Sequence, residues 1–301
     1  MIGTDHRVYC WEPGGEGLRK SPTAMPSLGV AKELVGGVLI CALQVGGTVR
    51  CVNGLGDTQP AVGDFVPDPT PWVDVSRLGG SRFVTCAVTQ LGKLSCLGVA
   101  FAVLGMPPGA TYLNRGPEVM AHDQPVPLAI SGKAATVALG GGIQGHHACA
   151  LRDDRTLACW GDNGSGQVGD GTLVDRAAPV VLGLHDVRSI AVGDGSSCAL
   201  DGAATVWCWG GVIGKTSPTR VPELATSTAL VVSREFGVCG LGSGIPRCLH
   251  KGQAKDLKAL ESAVELIPYD HGQYLCARDA QGRGRCLTAD LRSTFEVGLP
   301  G

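Results

Sequence analysis

The chain has 301 residues, with 25 Lys and Arg against 27 Asp and Glu, a formal net charge of -2. That balance excludes a basic nucleic-acid footprint or a basic membrane patch covering the whole chain. A hydrophobic share of 44 % excludes a mostly disordered chain, and the longest apolar run, Leu34 to Leu43, falls far short of the roughly 20 residues of a membrane helix.

Cysteine spacing is the strongest pattern. Five pairs share the spacing Cys-x9-Cys: Cys41/Cys51, Cys86/Cys96, Cys149/Cys159, Cys198/Cys208 and Cys276/Cys286. Cys239/Cys248 is one residue shorter, and Cys10 has no partner. In chain order, Cys10 in TDHRVYCW reads as the second cysteine of a unit, with His6 at its turn. Its partner would stand immediately before Met1. The first unit is therefore expected to be truncated, with the true start and a signal peptide upstream. The next pairs each frame a hairpin. If Cys149 faces Cys159, then Ala150 faces Ala158 and Leu151 faces Leu157, with Cys and Leu on one side of the ribbon. The same register pairs Leu43 with Val49, Val88 with Leu94 and Leu200 with Val206. The spacing leaves a three-residue loop whose last residue takes the left-handed conformation that suits glycine. Gly47, Gly92 and Gly282 stand there, whereas Arg155 and Ala204 depart from it. The shorter pair leaves the two-residue loop Ser243-Gly244. Lys255 to Ile267 is the best helix candidate, and Phe295 to Gly301 resembles the PVVLGL strand of an earlier unit.

Directly opposed strand residues lie within disulfide reach, and no Cys-x2–4-Cys zinc spacing occurs. Six disulfides are therefore expected: Cys41–Cys51, Cys86–Cys96, Cys149–Cys159, Cys198–Cys208, Cys239–Cys248 and Cys276–Cys286. The alternative is six pairs of reduced, buried thiols in a cytosolic protein. Second cysteines fall at 10, 51, 96, 159, 208, 248 and 286. Those intervals fit one four-stranded propeller blade per unit. Although the length alone allows two domains, the repeat predicts one all-β domain over 1–301. It is expected to be a seven-bladed β-propeller with disulfide-linked hairpins and a truncated first blade.

The clearest unit runs from Gly145 to Gly210. It holds His147 two residues before CAL, then CWG, then Asn163 to Thr172, Pro179-Val180 and Ile190 to Gly193. These residues resemble the regulator of chromosome condensation repeat family. The cysteine-paired hairpin is similar to that of bacterial secreted or envelope members. The resemblance implies a seven-bladed propeller and places the chain in the extracellular space or cell envelope. Family members of this shape include secreted inhibitors of β-lactamases, and the eukaryotic namesake is associated with guanine-nucleotide exchange.

Chemistry is sparse. Gly210 to Ser217 resembles a phosphate loop, but Trp209 holds the required glycine position and Pro218 follows. Asp162, Asn163, Asp170 and Asp175 offer hard oxygens in a spacing that matches no calcium loop. His146 and His147 point to opposite strand faces and read as structural. Asp153-Asp154 reads as a solvated hairpin tip, and Ser243 lacks a nucleophile elbow because Leu241 stands at its first glycine. No catalytic residue, metal or cofactor is expected. Trp11, Trp160 and Trp209 follow second cysteines and read as packing between blades, with Trp72 and Trp207 elsewhere. The long interval Leu97 to Gly142 carries Tyr112, Asn114 and Arg115, which are candidate interface anchors on a loop. The functional expectation is a non-catalytic monomer binding a protein or other macromolecule through its loop face. Nucleic acid is not expected as a partner. The alternatives are a guanine-nucleotide exchange factor-like regulator, against which the cysteine pairs speak, and a carbohydrate-binding propeller, for which aromatics are few.

Overall fold

The structure, a computed structural model, describes residues 2–3, 5–10, 23–36, 39–53, 72–81, 84–101, 111–112, 119–142, 145–242, 244–250, 252–269, 273–291 and 293–297. Each cysteine hairpin forms the second and third strands of an antiparallel sheet. Alternation along those strands puts cysteine and aliphatic side chains on one face and small residues or tryptophan on the other.

Six sheets stand as blades. Among the described residues blade 1 has three strands, Ala31–Val35, Leu39–Gln44 and Val49–Asn53. Blade 2 has five, in sheet order Val75–Gly80, Val84–Thr89, Leu94–Phe101, Val119–Leu128 and Thr111–Tyr112. Blade 3 is Ala134–Gly142, Gly145–Arg152, Leu157–Gly161 and Arg176–Val181; blade 4 is Val187–Gly193, Ser196–Asp201, Val206–Gly210 and Lys215–Arg220. Blade 5 is Ala229–Ser233, Gly237–Leu241, Arg247–His250 and Gln253–Asp256, and blade 6 is Ala263–Tyr269, Tyr274–Asp279, Gly284–Thr288 and Thr294–Val297.

The propeller thus has six blades, not the seven counted from second cysteines. Among the described residues, the unit around Cys10 shows a two-stranded ribbon, Tyr9–Cys10 against Thr23–Ala24, hydrogen-bonded to the start of blade 1 through Ala31 N to His6 O at 2.8 Å. Two residues per strand cannot build the double-faced sheet that a blade needs. The helix expected at Lys255 to Ile267 is also absent. A strand end, a 3₁₀ turn over Lys258–Leu260 and the first strand of blade 6 occupy it. Ser262 takes a left-handed φ of 69°, which breaks the chain between them.

All six disulfides are present, with Cα–Cα distances between 3.9 and 4.1 Å. The hairpin register is the one the sequence implies: Leu43 with Val49, Val88 with Leu94, Leu151 with Leu157, and Leu200 with Val206. Turn geometry holds at every tip described. Gly47, Gly92 and Gly282 have φ near +80°, and Arg155 and Ala204 adopt 62° and 60° despite their Cβ atoms.

The core lies in the seams between blades. The cysteine face of each of blades 1 to 5 packs on the opposite face of the next. Cys149, Leu151, Leu157 and Cys159 of blade 3 bury Trp209 and Ala199 of blade 4, and Cys86, Val88, Leu94 and Cys96 of blade 2 bury Trp160 of blade 3. Trp160 and Trp209 are fully buried, as their position after the second cysteine implies. Each removes from water an area worth roughly 3–5 kcal/mol on truncation to alanine. Trp11 lies outside the described residues. Trp72 is buried and donates from Nε1 to Ser95 Oγ at 2.7 Å, while Trp207 donates to Asp201 Oδ2 at 2.9 Å.

First strands meet around the axis. At their far ends the backbones touch: a Cβ on Gly140 would lie 2.4 Å from Gly193 O, and one on Gly193 would lie 2.5 Å from Val232 O. Only glycine permits that approach. At the opposite ends, near the hairpin tips, the first strand carries a bulge in five blades. Pairing shifts between Ala31 and Glu33, Val75 and Arg77, Ala134 and Thr136, Val187 and Ser189, and Ala263 and Glu265.

Candidate binding surface

The blade 3–4 seam contains the most reactive residue types. His147 on the second strand of blade 3 faces Ser197 on the second strand of blade 4, Nε2 to Oγ at 2.9 Å. Ser197 Oγ also lies 3.0 Å from the Gln167 carbonyl, which takes its single proton. His147 Nε2 therefore carries the ring proton and donates it to Ser197. Trp209 Nε1 donates to the same Gln167 carbonyl at 2.8 Å. His146 points the other way, its Nδ1 3.4 Å from Ser81 Oγ in blade 2. Both imidazoles are about 1 % exposed and Ser197 is fully buried. Burial pushes His146 down to about 4 and His147 down to about 3; a Ser196 backbone hydrogen bond opposes the shift in His147 without cancelling it. A neutral, sealed Ser–His contact bridges blades and has no opening for a substrate. The opposed orientation expected for the two histidines is what the seam uses.

The Asp-rich loop of blade 3 spends its oxygens on itself. Asn163 Nδ2 donates to Asp170 Oδ1 and to the Thr172 and Val174 carbonyls at 3.0 to 3.1 Å. Its Oδ1 accepts Val168 N, and Asp175 Oδ1 accepts Asn163 N at 2.8 Å. Gln167 Nε2 donates to Asp162 Oδ2 at 2.8 Å. Burial and the neighbouring Asp175 carboxylate raise the pKa of Asp162. Burial works in the same direction on Asp170, but hydrogen bonds from Thr172, Arg176 and Asn163 outweigh it and hold that carboxyl at about 2. The set pins a loop rather than opening a cation cradle.

An open groove of about 200 Å³ lies on blade 6 beside Ala263, Asp279 and Arg285. Arg283 there pairs with Asp279 at 2.7 Å and Arg285 donates to Ala259 O at 3.1 Å.

The hairpin-tip face is different. The tips of blades 1, 2, 3 and 5 bond to the start of the next blade: Val75 N to Gly47 O at 2.9 Å, Ala134 N to Gly92 O at 3.0 Å, Val187 N to Arg155 O at 2.9 Å and Ala263 N to Gly244 O at 3.1 Å. These bonds put the tips and the bulged first strands on one side of the ring. Six of the nine exposed large aliphatic residues described lie there: Val30, Val45, Val73, Leu91, Ile245 and Val264. The residues displaced by the bulges are Lys32, Ser76, Ala135, Arg188 and Val264. A bulge re-aims the extra side chain out of the ladder. Lys32, Ala135, Arg188 and Val264 are exposed. Sequence reasoning missed this surface, because a bulge depends on pairing between strands and leaves no local motif.

Of the anchors expected on the long interval, Tyr112 lies on a two-residue strand paired with Met120, its side chain outside the described residues. Asn114 and Arg115 lie outside them altogether.

Comparison with known proteins agrees with this architecture. The description "Regulator of chromosome condensation (RCC1) repeat" matches residues 145–167 and again 157–200. No curated relative matches the chain by sequence. Among solved structures, human WBSCR16 is similar over 98 % of this chain and 94 % of its own, with 13 % identity and a TM-score of 0.70. The structure of Kap60 bound to yeast RCC1 (Prp20) matches 76 % of this chain and 60 % of that one, at 19 % identity and a TM-score of 0.57. The computationally designed Ika8 protein matches 98 % of this chain and 82 % of its own, at 14 % identity and a TM-score of 0.53. These likenesses show the fold. The matched repeats span the unit where the histidine, tryptophan and loop network converge, and residues 145–200 are similar to RCC1 repeats.

Proposed function

We propose that this chain is a single-domain, non-catalytic propeller scaffold. It acts as a monomer in an oxidising setting, outside the cell or in its envelope, and holds a protein or another macromolecule against a loop face. The observation that carries this reading is a disulfide in every one of the six blades. Reducing compartments do not sustain such a set. The packing of the His147–Ser197 contact inside a buried seam supports a binding role over catalysis. Among the described residues, no helix is long and apolar enough to cross a membrane.

The test is fractionation of the native host, with alkylation before lysis and chemical cross-linking of the tagged protein. The reading expects the protein in the medium or envelope fraction, its twelve hairpin cysteines unalkylated, and a macromolecule cross-linked to its loops. Recovery in the cytosol with those cysteines alkylated would overturn it.

A further inference from the structure

We infer that the hairpin-tip face of blades 1 to 4 is the docking surface, and that its partner is an acidic protein segment with interspersed aliphatic side chains. This deepens the scaffold reading and rests on it.

Three observations converge. The first is the bulge recurring near the same end of the first strand in five blades. The shared backbone device carries unlike residues, Lys32, Ser76, Ala135, Arg188 and Val264. A bulge kept for packing alone would favour one residue type; displaced side chains that differ around a ring make a surface that can discriminate. The second is charge. Lys32, Arg77, Lys93, Lys133 and Arg188 are exposed and form no salt bridge among the described residues. Beside them are the exposed carboxylates Asp74, Asp153 and Asp154, the last paired with Arg152 at 3.2 Å, and the half-buried Asp201 and Glu33, which accept from Trp207 Nε1 at 2.9 Å and Leu78 N at 2.8 Å. Arg155 and Asp186 on the same face neutralise each other at 2.6 Å. The chain as a whole carries -2, so cationic excess here is local. The third is the aliphatic set Val30, Val45, Val73 and Leu91, from 51 % to 71 % exposed, between those cations.

Cations interleaved with solvent-exposed aliphatics match a segment offering carboxylates and apolar side chains in alternation. Val30 and Lys32 flank the start of the first strand of blade 1, beside the axis rather than out at a tip. A chain segment can reach from residues beside the axis to the more exposed turn residues Val45 and Leu91, whereas a flat bilayer meets the turns first.

The experiment is fluorescence anisotropy on the native, oxidised protein. The probe is a labelled dodecapeptide of four Glu-Glu-Leu repeats, compared with its Lys-Lys-Leu counterpart and with phosphatidylglycerol vesicles. Binding of the acidic peptide alone is expected. The triple variant Lys32→Glu/Arg77→Glu/Arg188→Glu should weaken it about tenfold or more. Arg234→Glu, in the turn between first and second strands of blade 5 on the opposite face, should leave it unchanged. Near-ultraviolet circular dichroism confirms that each variant is folded. Equal binding of both peptides, preference for vesicles, or equal affinity of the triple variant would overturn the inference. Hydrogen exchange on the partner captured by cross-linking separates the two readings. Protection confined to the face opposite the tips would leave the scaffold standing and this docking surface refuted; protection of no face would refute both.

Discussion

Acidification should loosen this propeller well above the pH at which its carboxylates titrate, and the cause is the pair of buried imidazoles. Burial holds His146 at about 4 and His147 at about 3 in the native state, against an ordinary value of 6.5 in the unfolded chain. The native state therefore binds fewer protons between those values, so stability is complete above about pH 6.5 and falls as pH drops toward 4 and then 3. At pH 5 the unfolded histidines lie 1.5 units below their ordinary value, and each contributes a loss of about 2 kcal/mol. The pair costs about 4 kcal/mol, a sizeable part of a typical net stability of roughly 5–15 kcal/mol. Asp170, held at about 2, lies outside this window. The assay is urea unfolding at pH 7.5 and pH 5.0 with disulfides intact, followed by tryptophan emission, since Trp160 and Trp209 sit in the seams that flank the histidines. His146→Gln/His147→Gln should be less stable at pH 7.5 but lose much less on going to pH 5.0. An unchanged pH dependence in that variant would refute the reasoning.

Other perturbations follow from the same geometry. Replacing Cys149 and Cys159 together by alanine should lower stability by about 3 kcal/mol, the chain-entropy value for so short a loop, read from the urea midpoint. Ala204→Gly should raise stability by up to about 1 kcal/mol, relieving a left-handed φ of 60° less the entropy of the added glycine, measured by thermal unfolding. Gly140→Ala should cost about 1–3 kcal/mol because its Cβ would meet the Gly193 backbone, whereas Gly183→Ala, with nothing within 4 Å, should be near neutral; calorimetry on both variants checks the contrast.

The hairpins were legible because two independent signals, cysteine spacing and period-2 alternation, fix one register, and Leu151 opposite Leu157 tests it. The blade number was not. Cysteine spacing counts hairpins rather than blades, and among the described residues Cys10 ends a two-residue strand paired with Thr23–Ala24. The false helix has a similar origin. Leu257 and Leu260 are buried around a 3₁₀ turn, but Val264, which continues their helical spacing, is displaced by a bulge and exposed. The buried histidine seam was readable only as alternation: adjacent histidines must face opposite ways, yet Ser81 and Ser197 come from blades on either side. The tip surface needs the closed set of neighbouring blades before its residues assemble.

Every covalent crosslink described joins two strands of a single blade, residues 9 or 10 apart in sequence, and none ties one blade to its neighbour. The oxidised chain resembles a necklace of pre-formed beads on an unlinked thread. Once oxidation has fixed each bead, assembly reduces to stacking them in order, and apolar contacts with a few hydrogen bonds across the seams govern whether adjacent beads part. Mechanical pulling on the oxidised molecule should extend it in discrete steps, each leaving one small covalent loop of chain unextended.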